Sequence, residues 1–101
     1  MPVARFSRRA EADLLGIGAY TLEHWDVNQA ISYLTELEVC CQGLADAPSR
    51  GHSCDDIRPG LRRFEHGRHF VFYRQETGGI FVSRVLHQRM LPERHEMDDE
   101  E

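Results

Sequence analysis

Lysine is absent from this chain: its 101 residues carry twelve basic side chains, and every one is Arg. A guanidinium is a planar fork of donors that stays charged, suited to gripping carboxylates and phosphates rather than to moving protons. Long apolar runs are missing too. No stretch approaches the roughly 20 apolar residues that cross a bilayer. The opening run Met1-Pro2-Val3-Ala4-Arg5-Phe6-Ser7 has no apolar segment of the secretory kind. No membrane association is expected, and a cytoplasmic location is. Cysteine is scarce: Cys40, Cys41 and Cys54 make an odd set that fits no zinc spacing. They read as buried or half-buried thiols in a reducing compartment. The chain has room for one two-layer core and none for a separate cofactor domain, so no cofactor is expected.

What is there is a lopsided charge pattern under a net charge of −5. Residues 1–57 hold four Arg against nine Asp and Glu, and residues 58–94 hold eight Arg against three. The stretch after His95 is acidic, Glu96-Met97-Asp98-Asp99-Glu100-Glu101, with nothing to drive folding. The expected organisation is one domain over 1–95 and an acidic disordered tail over 96–101. A basic second half suits an anionic partner, nucleic acid or acidic protein.

Periodicity supplies the elements. Val3–Phe6 reads as a strand. Ser7 is placed to cap a helix whose apolar face is Ala10, Leu14, Ile17 and Thr21. Gly16 and Gly18 weaken that helix and leave space for a second to approach. Asp26, three residues before Gln29, has capping-box spacing. Ala30, Leu34, Leu37, Cys41 and Leu44 then continue at helical period until Pro48. The short link at Asp26 implies an antiparallel helical hairpin, with Tyr20 and Trp25 packed at its closed end. Glu11, Asp13, Glu23, Glu36 and Glu38 fall off the apolar stripes and read as solvated. Residues 46–60 read as loop. From there the period is two: Leu61–His66, His69–Arg74 and Ile80–His87 form a meander turned at Gly67 and at Gly78-Gly79. Packing the hairpin on the sheet gives a two-layer α+β domain in the order βααβββ.

That order, with particular residues in it, resembles the RelE/ParE toxin superfamily. Ala12-Asp13-Leu14 with Ile17 and Tyr20-Thr21 is similar to its first helix, and Trp25 with Gln29-Ala30 to the start of its second. Leu44-Ala45, Pro48 and Gly51 match the helix exit, and Ile57-Arg58-Pro59-Gly60-Leu61-Arg62 the lead into the sheet. His69 to Arg74, Gly79-Ile80 and Arg84 to Met90 resemble the ParE branch. The resemblance implies a toxin without catalysis of its own that binds DNA gyrase. A ParD-like antitoxin would hold it in a toxin–antitoxin hetero-oligomer, by a segment lying in a groove beside the hairpin. DNA would be met only through the antitoxin or gyrase.

The candidate target-binding residues under this reading are Arg84, His87, Arg89, Met90 and Arg94, where the sheet ends. Arg84 shares a face with Ile80, Val82 and Leu86 by simple alternation, so its charge needs a partner or a sheet edge. Arg62, Arg68 and Arg74 form a second candidate group, a basic sheet surface. The superfamily's other branch implies a ribosome-dependent RNA-cleaving enzyme, with an Arg opening the middle strand and an Arg and a Tyr beyond the last. Here His69 opens that strand and no Tyr follows Met90. Tyr73 reads as core, which leaves His87 and Arg89 as substitutes. These departures favour ParE. An RNA-cleaving enzyme, or a non-toxic relative kept as a binding module, are the alternatives. His66, His69 and His87 could meet across adjacent strands, but no spacing ensures the three or four convergent ligands a metal needs.

Overall fold

A computed structural model describes residues 1–88 of the chain. The first strand, β1 (Val3–Phe6), runs straight into α1 (Arg8–His24). Ser7 makes the junction. Its Oγ accepts the Ala10 N–H at 2.9 Å and donates to the Ser83 carbonyl at 2.7 Å. One buried hydroxyl thus caps the helix and ties it to the sheet. The second helix, α2 (Val27–Asp46), is capped by Asp26, whose Oδ1 accepts the Gln29 N–H at 2.8 Å. Both caps are where the sequence put them.

The strands that follow are β2 (His52–Ser53), β3 (Leu61–His66), β4 (His69–Glu76) and β5 (Gly79–His87). They form one sheet in the order β1-β5-β4-β3-β2. The meander is antiparallel, whereas β1 lies parallel to β5 with Val3 opposite Gly79 and Phe6 opposite Val82. Two parts of the sheet go beyond the sequence reading. The pair His52–Ser53 adds an edge strand inside the expected loop, opposite Arg63 and Arg62. A bulge also shifts the β4–β5 register between Phe72 and Tyr73, so that Val82 faces Tyr73 and Arg84 faces Phe72. A bulge inserts one residue and reverses which side chains share a face beyond it. Ile80, Val82 and Val85 accordingly enter the core under the helices, while Leu86 joins a second cluster. The uniform face assigned to Ile80, Val82, Arg84 and Leu86 is corrected by this one inserted residue.

The main core joins Ala10, Leu37, Cys41 and Leu44 of the helices to Val71, Tyr73, Ile80, Val82 and Val85 of the sheet. Among the described residues, no helix covers the outer face. The loop after β2 covers part of it, with Cys54 and Ile57 against Leu61, Phe72 and Leu86. Guanidinium groups cover more: Arg5 and Arg74 lie 5.1 and 4.5 Å from the Phe81 ring centre, and Arg63 lies 4.9 Å from that of Phe70. Burial pushes the Cys41 thiol up to about 12, so it packs as a small apolar group.

Tyr73 is in the core as expected, and its hydroxyl does more than fill space. It donates to the Pro48 carbonyl at 2.6 Å and accepts the Gly51 N–H at 2.9 Å, pinning the helix exit to the sheet. Tyr73→Phe strands both backbone groups, and is expected to lower stability by about 1–3 kcal/mol. Urea unfolding should show the midpoint fall with an unchanged slope.

Candidate functional site: a groove beside the helical hairpin

The hairpin does not cover the sheet evenly. Its second helix buries Leu37, Cys41 and Leu44, but Ala10 is the only fully buried residue of α1. Leu14 and Ile17 pack on the core only in part, and beside them opens a groove of about 880 Å³. One wall is the α1 face carrying Asp13, Gly16, Ile17, Tyr20 and His24, a 3–4 residue spacing. Trp25, Gln29 and Tyr33 close one end. The opposite wall is sheet: Gly67, Arg68 and His69 at the β3–β4 turn, then Val85 and His87 of β5. No helix among the described residues is long and apolar enough to cross a membrane.

Three expectations about these helices change. Tyr20 and Trp25 do not pack inside the hairpin; they are 62% and 71% exposed on the groove's rim. Gly18 does admit the second helix, since a Cβ there would lie 3.0 Å from the Leu34 side chain. Gly16 instead opens onto the groove and meets nothing.

Asp13 is the third. Far from being solvated, it grips the end of β5. The strand β1 stops opposite Val82, which leaves that edge of β5 without a strand neighbour among the described residues. Asp13 fills the gap: Oδ2 accepts the Val85 N–H at 2.9 Å, and the carboxylate takes both Arg84 Nε and Nη2, at 2.8 and 2.9 Å. The two side chains are only 14% and 13% exposed. A bidentate fork in a water-poor setting is the strong form of this pair. Arg84 thus sits within the domain, held by the groove wall.

A polar row lies along the sheet wall. His66 pairs with His69 across the β3–β4 turn, and His69 with His87 across β4–β5. The His69 and His87 rings meet edge to face, 5.4 Å apart. Tyr33 reaches in from α2, its hydroxyl 2.6 Å from His69 Nδ1 and 3.3 Å from the His66 carbonyl. At φ +58° the backbone of Gly67 favours glycine, and a Cβ there would come 2.7 Å from the Tyr33 oxygen. Glycine therefore makes the turn and also lets Tyr33 in. Burial raises the Tyr33 hydroxyl, keeping it protonated. Burial first, then the neighbouring His87 and His66, pushes His69 down to about 4. His66 also faces Glu36, Nε2 to Oε1 at 3.5 Å. Among the described residues, no group of three His, Cys, Asp or Glu is placed to hold a metal ion.

Of the residues singled out in the sequence, His87 and Arg68 line the groove. Arg89, Met90 and Arg94 lie outside the described residues. Arg62, Arg68 and Arg74 do not make one surface. Arg62 Nη1 donates to the Gly51 carbonyl at 2.6 Å, Arg74 covers Phe81, and Arg68 stands on the groove. Asp13 and Tyr33 were missed. The signal for Asp13 was its place three residues past Ala10, close to the buried stripe. Tyr33 had none.

A small strand-first α+β domain with this order of elements is a shape already seen in solved proteins. The chain superposes with a TM-score of 0.72 on one described as "Chromosomal ParDE TA system from P. aeruginosa", covering 86% of this chain and 96% of that one at 19% identity. That likeness shows a shared fold. The family follows from sequence. The profile of the ParE toxin of type II toxin-antitoxin system, parDE, matches residues 4–92. Toxin ParE1 of Caulobacter vibrioides is 41% identical over 91 residues, 90% of this chain and 94% of the relative. Toxin ParE1 of Mycobacterium tuberculosis H37Rv is 46% identical over 85 residues, 83% and 87% of the two chains. The chain belongs to the ParE family of type II toxins.

Proposed function

We propose that this chain arrests bacterial growth by binding DNA gyrase and trapping it on cleaved DNA, without catalysis of its own, and that a ParD-like antitoxin neutralises it in a hetero-oligomer. The observation that carries the reading is the family match over nearly all of residues 1–95. The groove supports the second half. Ile17, Tyr20 and Trp25 offer apolar and aromatic surface along one helix face, the kind of channel that takes an amphipathic segment. An exposed Trp is costly to leave in water and is a common binding anchor.

The toxic determinant is assigned to the end of the sheet. Arg84 serves it indirectly, because its fork is committed to Asp13. His87, followed by Arg89, Met90 and Arg94, supplies the contacts, since Arg and Met are enriched at protein interfaces.

Production of the chain alone should give filamentous cells with gyrase-linked DNA breaks and intact messenger RNA, and the product of the adjacent gene should restore growth. Truncation after Gln88 should abolish the breaks while leaving a folded protein that still binds antitoxin. Ribosome-dependent cuts in messages, with DNA intact, would replace gyrase poisoning by RNA cleavage. Normal growth on strong production of folded protein would make the chain a non-toxic relative. A folded, fully toxic truncation would move the determinant off this segment.

A further inference from the structure

The histidine row on the sheet wall lies outside both core clusters, and the described residues around the groove offer little available negative charge. Its bases are Arg68, His24, His69 and His87, and its one carboxylate, Asp13, is already committed to Arg84 and the Val85 N–H. We infer that His69, flanked by His87 and Arg68, is the seat for an acidic side chain of the antitoxin segment that lies in the groove. This rests on the groove reading above and adds the chemistry of the occupant: a segment with apolar anchors for Ile17, Tyr20 and Trp25, and an Asp or Glu placed to reach the opposite wall.

The geometry shows how the seat works in either protonation state. Tyr33 engages Nδ1 of His69, which leaves Nε2 for an occupant. With His69 neutral, the Tyr33 hydroxyl donates to Nδ1 and the ring proton sits on Nε2. With His69 charged, Nδ1–H donates to Tyr33, which turns its own proton to the His66 carbonyl at 3.3 Å. Nε2 carries a hydrogen to offer an occupant in both states, and Tyr33 stays satisfied in both. A carboxylate docked there favours the charged ring.

The other groups around His69 are accounted for from each element. Tyr33 comes from α2, with Glu36 one turn on and turned to His66. His66 comes from β3, Arg68 from the turn and His87 from β5, while Asp13 and His24 face them from α1. Among the described residues that line the groove, none brings an uncommitted carboxylate.

In the empty groove His69 is pushed down to about 4, chiefly by burial, and is neutral near pH 7. Docking a carboxylate raises it, so binding takes up a proton and affinity rises as pH falls. A return to the ordinary value of about 6.5 makes binding about tenfold tighter at pH 5.5 than at pH 7.5.

The probe is the full-length product of the adjacent gene, its affinity for the intact chain measured by calorimetry at both pH values. Two buffers of different ionisation heat count the protons taken up. His69→Asn keeps an acceptor for Tyr33 where Nδ1 stood. The inference expects this variant to bind with little pH dependence, while His66→Gln keeps the wild-type slope. It also expects one Asp or Glu of the antitoxin whose amide variant binds about tenfold more weakly to wild type and no more weakly to His69→Asn. Circular dichroism checks that each variant is folded, and His69→Gln, which also removes the titrating ring and is expected to flatten the slope, stands in should His69→Asn fail to fold. Tight binding that is weakened by Ile17→Arg but has the same slope in His69→Asn would overturn the carboxylate seat and leave the groove reading intact. Binding unaffected by both Ile17→Arg and Trp25→Ala would overturn both.

Discussion

Asp13→Ala is expected to lower the stability of the folded chain by about 3–5 kcal/mol, the range for removing one partner of a buried ion pair. Alanine takes the Asp13 carboxylate away from the Arg84 guanidinium, 13% exposed, and leaves the Val85 N–H without its acceptor. Domains of this size have only about 5–15 kcal/mol in total. Urea unfolding should therefore show a midpoint lowered by about a fifth or more, and the strand end nearest the proposed toxic segment should lose amide protection first. Two companions separate the contributions. Asp13→Asn keeps an acceptor for Val85 and should recover part of the loss. Asp13→Leu with Arg84→Met removes both charges and should recover most of it, because a well-packed apolar pair often matches a buried ionic one. If Asp13→Ala costs under 1 kcal/mol, the pair is an incidental surface contact and the account of Arg84 fails.

The other large effect is expected at Gly79, where β5 begins. Its φ of +147° is a backbone shape that essentially only glycine holds. A Cβ there would also fall onto the main chain of Val3, its parallel neighbour. Backbone cannot turn aside as a side chain can, so β1 must separate from β5 to admit even one methyl. Gly79→Ala is expected to cost about 3 kcal/mol or more. For a domain of this length that lowers Tm by roughly 12–24 °C. Gly78→Ala makes the control: its φ is +85° but a Cβ there meets open space, so it carries conformational strain without the clash and should cost less. Equal losses at the two glycines would show that the β1–β5 approach contributes nothing beyond turn strain.

What the sequence revealed, and what it hid, divides by the range of the interaction. Ser7 and Asp26 were legible as caps because a cap is decided within three residues. The helical stripes and the three strands of the meander were legible because periodicity is local. The parallel pairing of β1 with β5 was not, since nothing in Val3–Phe6 names a partner 76 residues away. The bulge opposite Phe72 and Tyr73 was hidden for a related reason: it exists only in the register between two strands. The site divides in the same way. His66, His69 and His87 stood out because a meander brings neighbouring strands together, whereas the arrival of Tyr33 depends on how α2 crosses the turn at Gly67. Asp13 looked like one more helix acid until the edge of β5 was seen to lack a strand. Trp25 misled because a tryptophan is read as core by default, and here it stands on the rim of the groove.

The pairing of the first strand with the last has a consequence in time. Strand β1 leaves the ribosome first, yet its hydrogen-bonding partner begins at Gly79, and the Ser7 hydroxyl that caps α1 also waits for the Ser83 carbonyl. The contacts that unite the two layers thus span almost the entire described chain, and such non-local closures are slow to form. The sheet cannot close its fifth position, nor can the groove acquire its β5 wall, until translation has passed residue 87. At about 5–20 residues per second, that is several seconds in which the nascent polypeptide is assembled only in part. A type II toxin built this way completes the groove only once β5 has been made, and an antitoxin segment docking there would meet that surface no earlier.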